Sequence, residues 1–182
     1  MVREAMMPFL EAALLTSRGP VTISGLIETL GEDAVTTAEV QATLEQIRDR
    51  LDTPEHGIRL EQVAGGWRYV TLPELDDSLR TFHGLAAKQR LSQAALEVLS
   101  IVAHRQPVTL PEVNFVRGAN STGVIRTLLD RGLIRLAGRK KVVGKPFLYR
   151  TTKEFLVHFG LDRIEELPEP EKTLEDENPE AD

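Results

Sequence analysis

A mainly α (α+β) chain is predicted: two tandem domains, each three helices followed by a β-hairpin, and then a disordered acidic tail. Three observations predict it. The chain repeats its own pattern, each repeat passes from helical apolar spacing to strand alternation, and charge is partitioned sharply by segment. The boundaries expected are 1–83 for the first domain, 84–91 for a linker, 92–167 for the second domain and 168–182 for the tail.

The repeat pairs FLEAALLTSRGPVTISGLIETLG with ALEVLSIVAHRQPVTLPEVNFVRG. Aligning Pro20-Val21-Thr22 on Pro107-Val108-Thr109 also aligns Ile23 with Leu110 and Gly31 with Gly118. Each copy then reaches a strand opening Gly-Ile-Arg-Leu at 57–60 or Gly-Leu-Ile-Arg-Leu at 132–136. Matching order, spacing and hydrophobic character together indicate duplication.

The first helix of each copy is expected over about 5–17 and 92–105. In the second, Leu96, Leu99, Val102 and Ala103 form an inward stripe, with Glu97, Ser100 and His104 off it. A short extended piece follows at Pro-Val-Thr, because proline pushes the residue before it out of the helical region. Thr22 and Thr109 are N-caps for short second helices that stop at Gly31 and Gly118. Third helices are expected at 37–52, with Val40, Leu44, Ile47 and Leu51 on one face, and at 121–131. In the latter Val124, Ile125, Leu128 and Leu129 point inward, capped by Asn120 or Ser121. IRLEQV and WRYVT then flank the tight-turn signal Ala64-Gly65-Gly66, while LIRLA and FLYRT flank a longer basic loop. Three helices and a hairpin in about 75 residues is the winged-helix plan. Residues 73–90 are expected as a helix and connector. Phe155, Leu156, Phe159 and Leu161 form a closing helix, with one more turn over 162–167.

The net charge of −6 conceals this partition. From Pro168 onward seven acids face the single base Lys172, so the tail carries the whole net charge. Residues 117–153 hold ten Arg and Lys against Asp130 alone, a local +9. The tail is Pro- and acid-rich and offers almost nothing to bury, the composition of a disordered segment. The 182-residue chain includes no cysteine, which excludes disulfides and thiolate chemistry. No apolar run approaches the roughly 20 residues of a membrane span. The N-terminal MVREAMMPFLEAALL reads as an amphipathic helix rather than a signal peptide.

No catalytic, metal or cofactor site is expected. Gly138 to Lys145 superficially resembles a phosphate-binding loop, but five residues separate its glycines, Pro146 follows the lysine, and a strand comes next where a P-loop opens a helix. His56, His83, His104 and His158 are scattered without ligand spacing. DNA binding by a winged-helix transcriptional regulator is the alternative. Against it, the first copy's third helix carries Glu39, Glu45, Asp49 and Asp52, which repel a duplex. The second copy places Arg126 mid-helix, but Asp130 lies one turn on, positioned to pair with it.

The runs ALEVLSIVAHRQPVT and RGANSTGVIRTLLDRGLIRLAGRKKVVGKPFLYRTTKEFLVHFGL closely resemble the segregation and condensation protein B family. EAALLTSRGPVT and GIRLEQVAGGWRYVT are similar to its first half, and the resemblance covers roughly residues 8–167. It implies a non-enzymatic subunit of two winged-helix domains, a homodimer formed mainly through the first. It also implies binding to a kleisin, segregation and condensation protein A, and through it an SMC ATPase. The role would be in chromosome condensation and segregation in the cytoplasm, at the nucleoid; the basic residues 139–145 separately leave open a weak, non-specific DNA contact. The family pattern falls on Gly138, Arg139, Lys140, Gly144, Lys145, Pro146, Leu148, Tyr149, Thr151 and Thr152. Lys145 stands where arginine is usual, keeping the charge without the bidentate fork, and His104 where tyrosine is common. With the local positive block as the motivating observation, Arg126, Arg135, Arg139, Lys140, Lys145 and Tyr149 are the candidate partner-binding residues. Trp67 and Tyr69, alternating with Arg68, are expected as core or dimer contacts.

Overall fold

A computed structural model describes residues 2–31, 34–85 and 90–169, with side chains from residue 5. Two compact units emerge, one of Met1–Arg90 with Leu156–Arg163, the other of Leu91–Phe155 with the described residues from Ile164 on. The fold is mainly α, with two small antiparallel sheets and a winged-helix-like order of elements in each unit. The expected tail lies outside the described residues from 170 onward, as do residues 86–89 of the expected linker.

In the first unit, helices α1 (Val2–Thr16), α2 (Ile23–Leu30) and α3 (Thr37–Leu51) precede the hairpin β1 (Ile58–Val63) and β2 (Gly66–Thr71). Thr22 caps α2 by accepting from the Gly25 amide, and Gly31 ends it at φ +99°. Thr36 and Glu39 close a reciprocal capping box on α3. The apolar period of α3 puts Val40, Leu44 and Ile47 inward against Leu10, Leu14, Leu26, Leu60 and Trp67. Ala64 and Gly65 both turn with positive φ, the two-residue hairpin geometry whose twist matches that of the strands. Val21 adds a bridge beside β2, exchanging two backbone bonds with Trp67 at 2.9 and 2.8 Å. A 3-10 turn (Pro73–Leu75) and the short helix α4 (Asp76–Phe82) follow.

In the second unit, α5 (Gln93–Arg105), β3 (Val108–Thr109), α6 (Leu110–Arg117) and α7 (Thr122–Asp130) lead to β4 (Ile134–Arg139) and β5 (Phe147–Thr151). The sheet order is β3-β5-β4. Ala95, Val98, Leu99, Val102 and Ala103 are the buried face of α5, while Leu96 is 40% exposed. The expected stripe was thus rotated: counting back three from Leu99 selects Leu96, whereas the inward arc holds Ala95 and Val98. Gln106 leaves the helix in extended conformation before Pro107. Its carboxamide joins helix to sheet, since Oε1 accepts from the Thr151 amide and hydroxyl, each at 2.9 Å, and Nε2 donates to the Ala103 carbonyl. Thr109 caps α6 in a box with Glu112. On α7 the N-cap residue is Ser121, whose side chain makes no cap bond, and Asn120 Oδ1 accepts from the Thr122 amide instead.

The helix α8 (Lys153–Phe159) and a 3-10 turn (Ile164–Glu166) close the described chain. Residues 156–163 were expected to finish the second domain, but they group with the first unit. The Leu161 carbonyl accepts from the Ala64 amide at 2.9 Å, and Asp162 Oδ1 accepts from the Gly65 amide at 2.8 Å. The tight turn of β1–β2 therefore has its outward amides satisfied from the far end of the chain.

Candidate partner-binding surface

The wing of the second unit is built by a register shift. β4 and β5 pair regularly from Ile134↔Thr151 to Leu136↔Tyr149, then shift before Arg139↔Phe147. Gly138 takes φ +112° in that irregularity, a conformation that favours glycine. The Arg139 guanidinium stacks 3.8 Å over the Phe147 ring and donates to the Lys145 carbonyl at 3.0 Å. The Lys140 amide donates to Pro146 O, and the Lys145 amide to Val142 O. Between these closures the tip presents Lys141, Val142, Val143 and Lys145, with Val143 fully exposed.

Lys140 differs from its neighbours. Its ammonium pairs with the Glu112 carboxylate, which also accepts from the amide and hydroxyl of Thr109. The Lys140 hydrogen bond and then those from Thr109 hold the Glu112 carboxyl down at about 2. One carboxylate thus caps α6 and tethers the root of the wing, leaving Lys140 less available than the tip lysines.

Arg135 and Arg150 are directly opposed across β4–β5, both exposed. Arg126 is exposed on α7, and among the described residues no ion pair joins it to Asp130, contrary to the pairing expected from their spacing. Arg135, Arg139, Lys140 and Lys145 thus cluster on one hairpin, and Arg126 stands on the helix before it. Tyr149 is different: it is 8% exposed and sits mid-strand opposite Val108 and Leu136. Its ring is part of the packed interior. In the first unit, Trp67 is 1% exposed within the core and Tyr69 half-buried beside it. Burial, then the Glu11 carboxylate, push the Tyr69 phenol above its ordinary value. Arg150, Phe147 and Glu112 were not singled out from the sequence. Arg150 was recoverable by pairing IRL with YRT, whereas Glu112 meets Lys140 across 28 residues.

Among the described residues there is no cluster of three or more metal-binding side chains, and no helix is long and apolar enough to cross a membrane. A family model described as the segregation and condensation complex subunit ScpB matches residues 9–170. The chain belongs to this family.

Segregation and condensation protein B of Symbiobacterium thermophilum is 42% identical over 160 residues, covering 87% of this chain and 71% of the relative. That of Moorella thermoacetica is 40% identical over 159 residues, covering 87% and 80%. A crystal structure of ScpB from Mycobacterium tuberculosis aligns at 35% identity over 87% of this chain and 97% of that one, with a TM-score of 0.41. As an ScpB family member, the chain is a non-enzymatic scaffold subunit of an SMC–kleisin complex, acting in chromosome segregation and condensation. The rejected phosphate loop accords with this, because the glycines of the wing serve its turns.

Proposed function

We propose that the wing of the second unit helps hold the kleisin subunit, with Arg135, Arg139 and Lys145 as its charged contacts and Arg126 and Lys140 at its margin. The observation that carries this reading is a cationic hairpin tip with exposed valines, on a chain whose remaining segments are acidic or neutral. Exposed apolar residues between cations suit a protein segment carrying both acids and apolar anchors. Tyr149 supports the surface from below. In the same reading the two units are tandem winged-helix domains, the first built on residues 1–83 and the second on residues 92–155. The first domain mediates homodimerisation, and the kleisin links the dimer to the SMC ATPase in the cytoplasm, at the nucleoid.

Calorimetry with the kleisin tests the site. Because Lys140 also tethers Glu112, Arg139→Glu with Lys140→Glu is paired with a second variant, Lys141→Glu with Lys145→Glu, which leaves that tether intact. Each is expected to weaken binding by about tenfold, the scale of one or two lost charged contacts. Unchanged affinity in both would remove the wing from the interface. A gel shift at physiological salt addresses the exposed Arg126 and Arg135: tight DNA binding without kleisin association would replace the scaffold reading of this surface with a DNA-binding one.

A further inference from the structure

Opposed like charges destabilise an antiparallel pair, so the Arg135↔Arg150 position calls for an anion. Among the described residues no carboxylate pairs with Arg135, Arg150, Lys141 or Lys145. The same unit also fixes where the chain's own acid departs. His104 Nε2 lies 2.9 Å from the Pro168 carbonyl, so the residue before the acidic segment lies at the end of α5. Two residues further along, Gln106 binds Thr151, the neighbour of Arg150. By chain geometry the point of departure is therefore within roughly 20 Å of the Arg150 backbone.

We propose that the acidic segment 169–182 of this chain docks in cis on the Arg135–Arg150 pair and the wing tip, and competes there with any acidic partner. Charge complementarity and reach carry the inference. The segment holds seven acids against Lys172, and residues 117–153 are the one strongly positive stretch of the sequence. Fourteen residues extended span about 45–50 Å, ample for the distance. Tethering beside the surface gives the segment an effective concentration that a free acidic peptide lacks. The contact does not depend on the kleisin reading. If the wing does hold the kleisin, the segment regulates that site.

The test uses the full chain with Glu171→Gln, Glu175→Gln, Asp176→Asn, Glu177→Gln and Glu180→Gln combined. Compared with wild type at about 50 mM salt, the amide NMR signals of Arg135, Lys141, Lys145 and Arg150 are expected to shift, and the difference to vanish near 1 M salt. A 20-base-pair duplex serves as polyanionic probe, and the neutralised chain is expected to bind it about tenfold more tightly. That gain is expected to disappear when Arg135→Gln and Arg150→Gln are added. Unchanged amide signals would overturn the proposal. So would a gain that survives the arginine changes, since it would then reflect net charge alone. Kleisin calorimetry on the same variants is scored separately, so a wing that binds no kleisin leaves this result standing.

Discussion

A Cβ placed on Gly66 would meet the Val21 carbonyl oxygen at 2.8 Å and its carbon at 2.9 Å, both backbone atoms fixed by the bridge to Trp67. Gly66→Ala is therefore expected to destabilise the chain by about 1–3 kcal/mol in urea denaturation, as overpacking does. Gly123, inside α7 with open space around it, is the contrasting case: Gly123→Ala is expected to stabilise by about 0.4–1 kcal/mol. Glu112 makes a pH prediction. Its folded carboxyl is held at about 2 against an ordinary 4.5, so it contributes stability above about 4.5 that is lost as pH falls towards 2. Its side chain is 42% exposed, so solvent screens the effect. Wild type is expected to lose stability more steeply than Glu112→Gln across that window, and parallel curves would remove the assignment. The cap at Thr109 was legible because a threonine before an apolar run is a local signal. The Lys140 partnership was not, because only folding brings α6 and the wing root together.

Among elements, α2 and α6 occupy equivalent places in the repeat but begin differently. Thr22 accepts one amide bond and is half-buried. Thr109 is 2% exposed and bonded reciprocally with Glu112. Thr109→Ala is accordingly expected to cost about 1–2 kcal/mol and Thr22→Ala about 0.5–1 kcal/mol, measured by thermal or urea unfolding. The strands, turns and helix stops were legible because each rests on a short-range signal: Ala64-Gly65, Gly31, Gly118 and the alternation in IRLEQV. The buried face of α5 was misjudged by one position because Leu96 is large and apolar, and a small inward Ala95 gives a weaker signal. Wing length was also misread. β4 continues to Arg139 through an irregularity that alternation alone does not reveal.

At the scale of the molecule, charge is segregated by segment. If the basic wing meets an acidic partner segment, raising salt from about 50 to 500 mM is expected to weaken kleisin binding by about tenfold in calorimetry, because exposed pairs are screened over a Debye length. A salt-independent affinity would point to the valines instead. The duplication was readable from the sequence because each repeat contains its own helices and hairpin. The allegiance of residues 156–163 was not, since it depends on bonds between residues 97 positions apart.

Those bonds also impose an order on synthesis. Gly65 waits for Asp162, 97 residues later, and Ala64 for Leu161. At about 5–20 residues per second, the first hairpin spends on the order of 5–20 s with its turn amides facing solvent or a chaperone. The N-terminal unit, though translated first, thus waits for residue 162 before its turn is satisfied, and a chain stalled before residue 161 carries an unsealed turn.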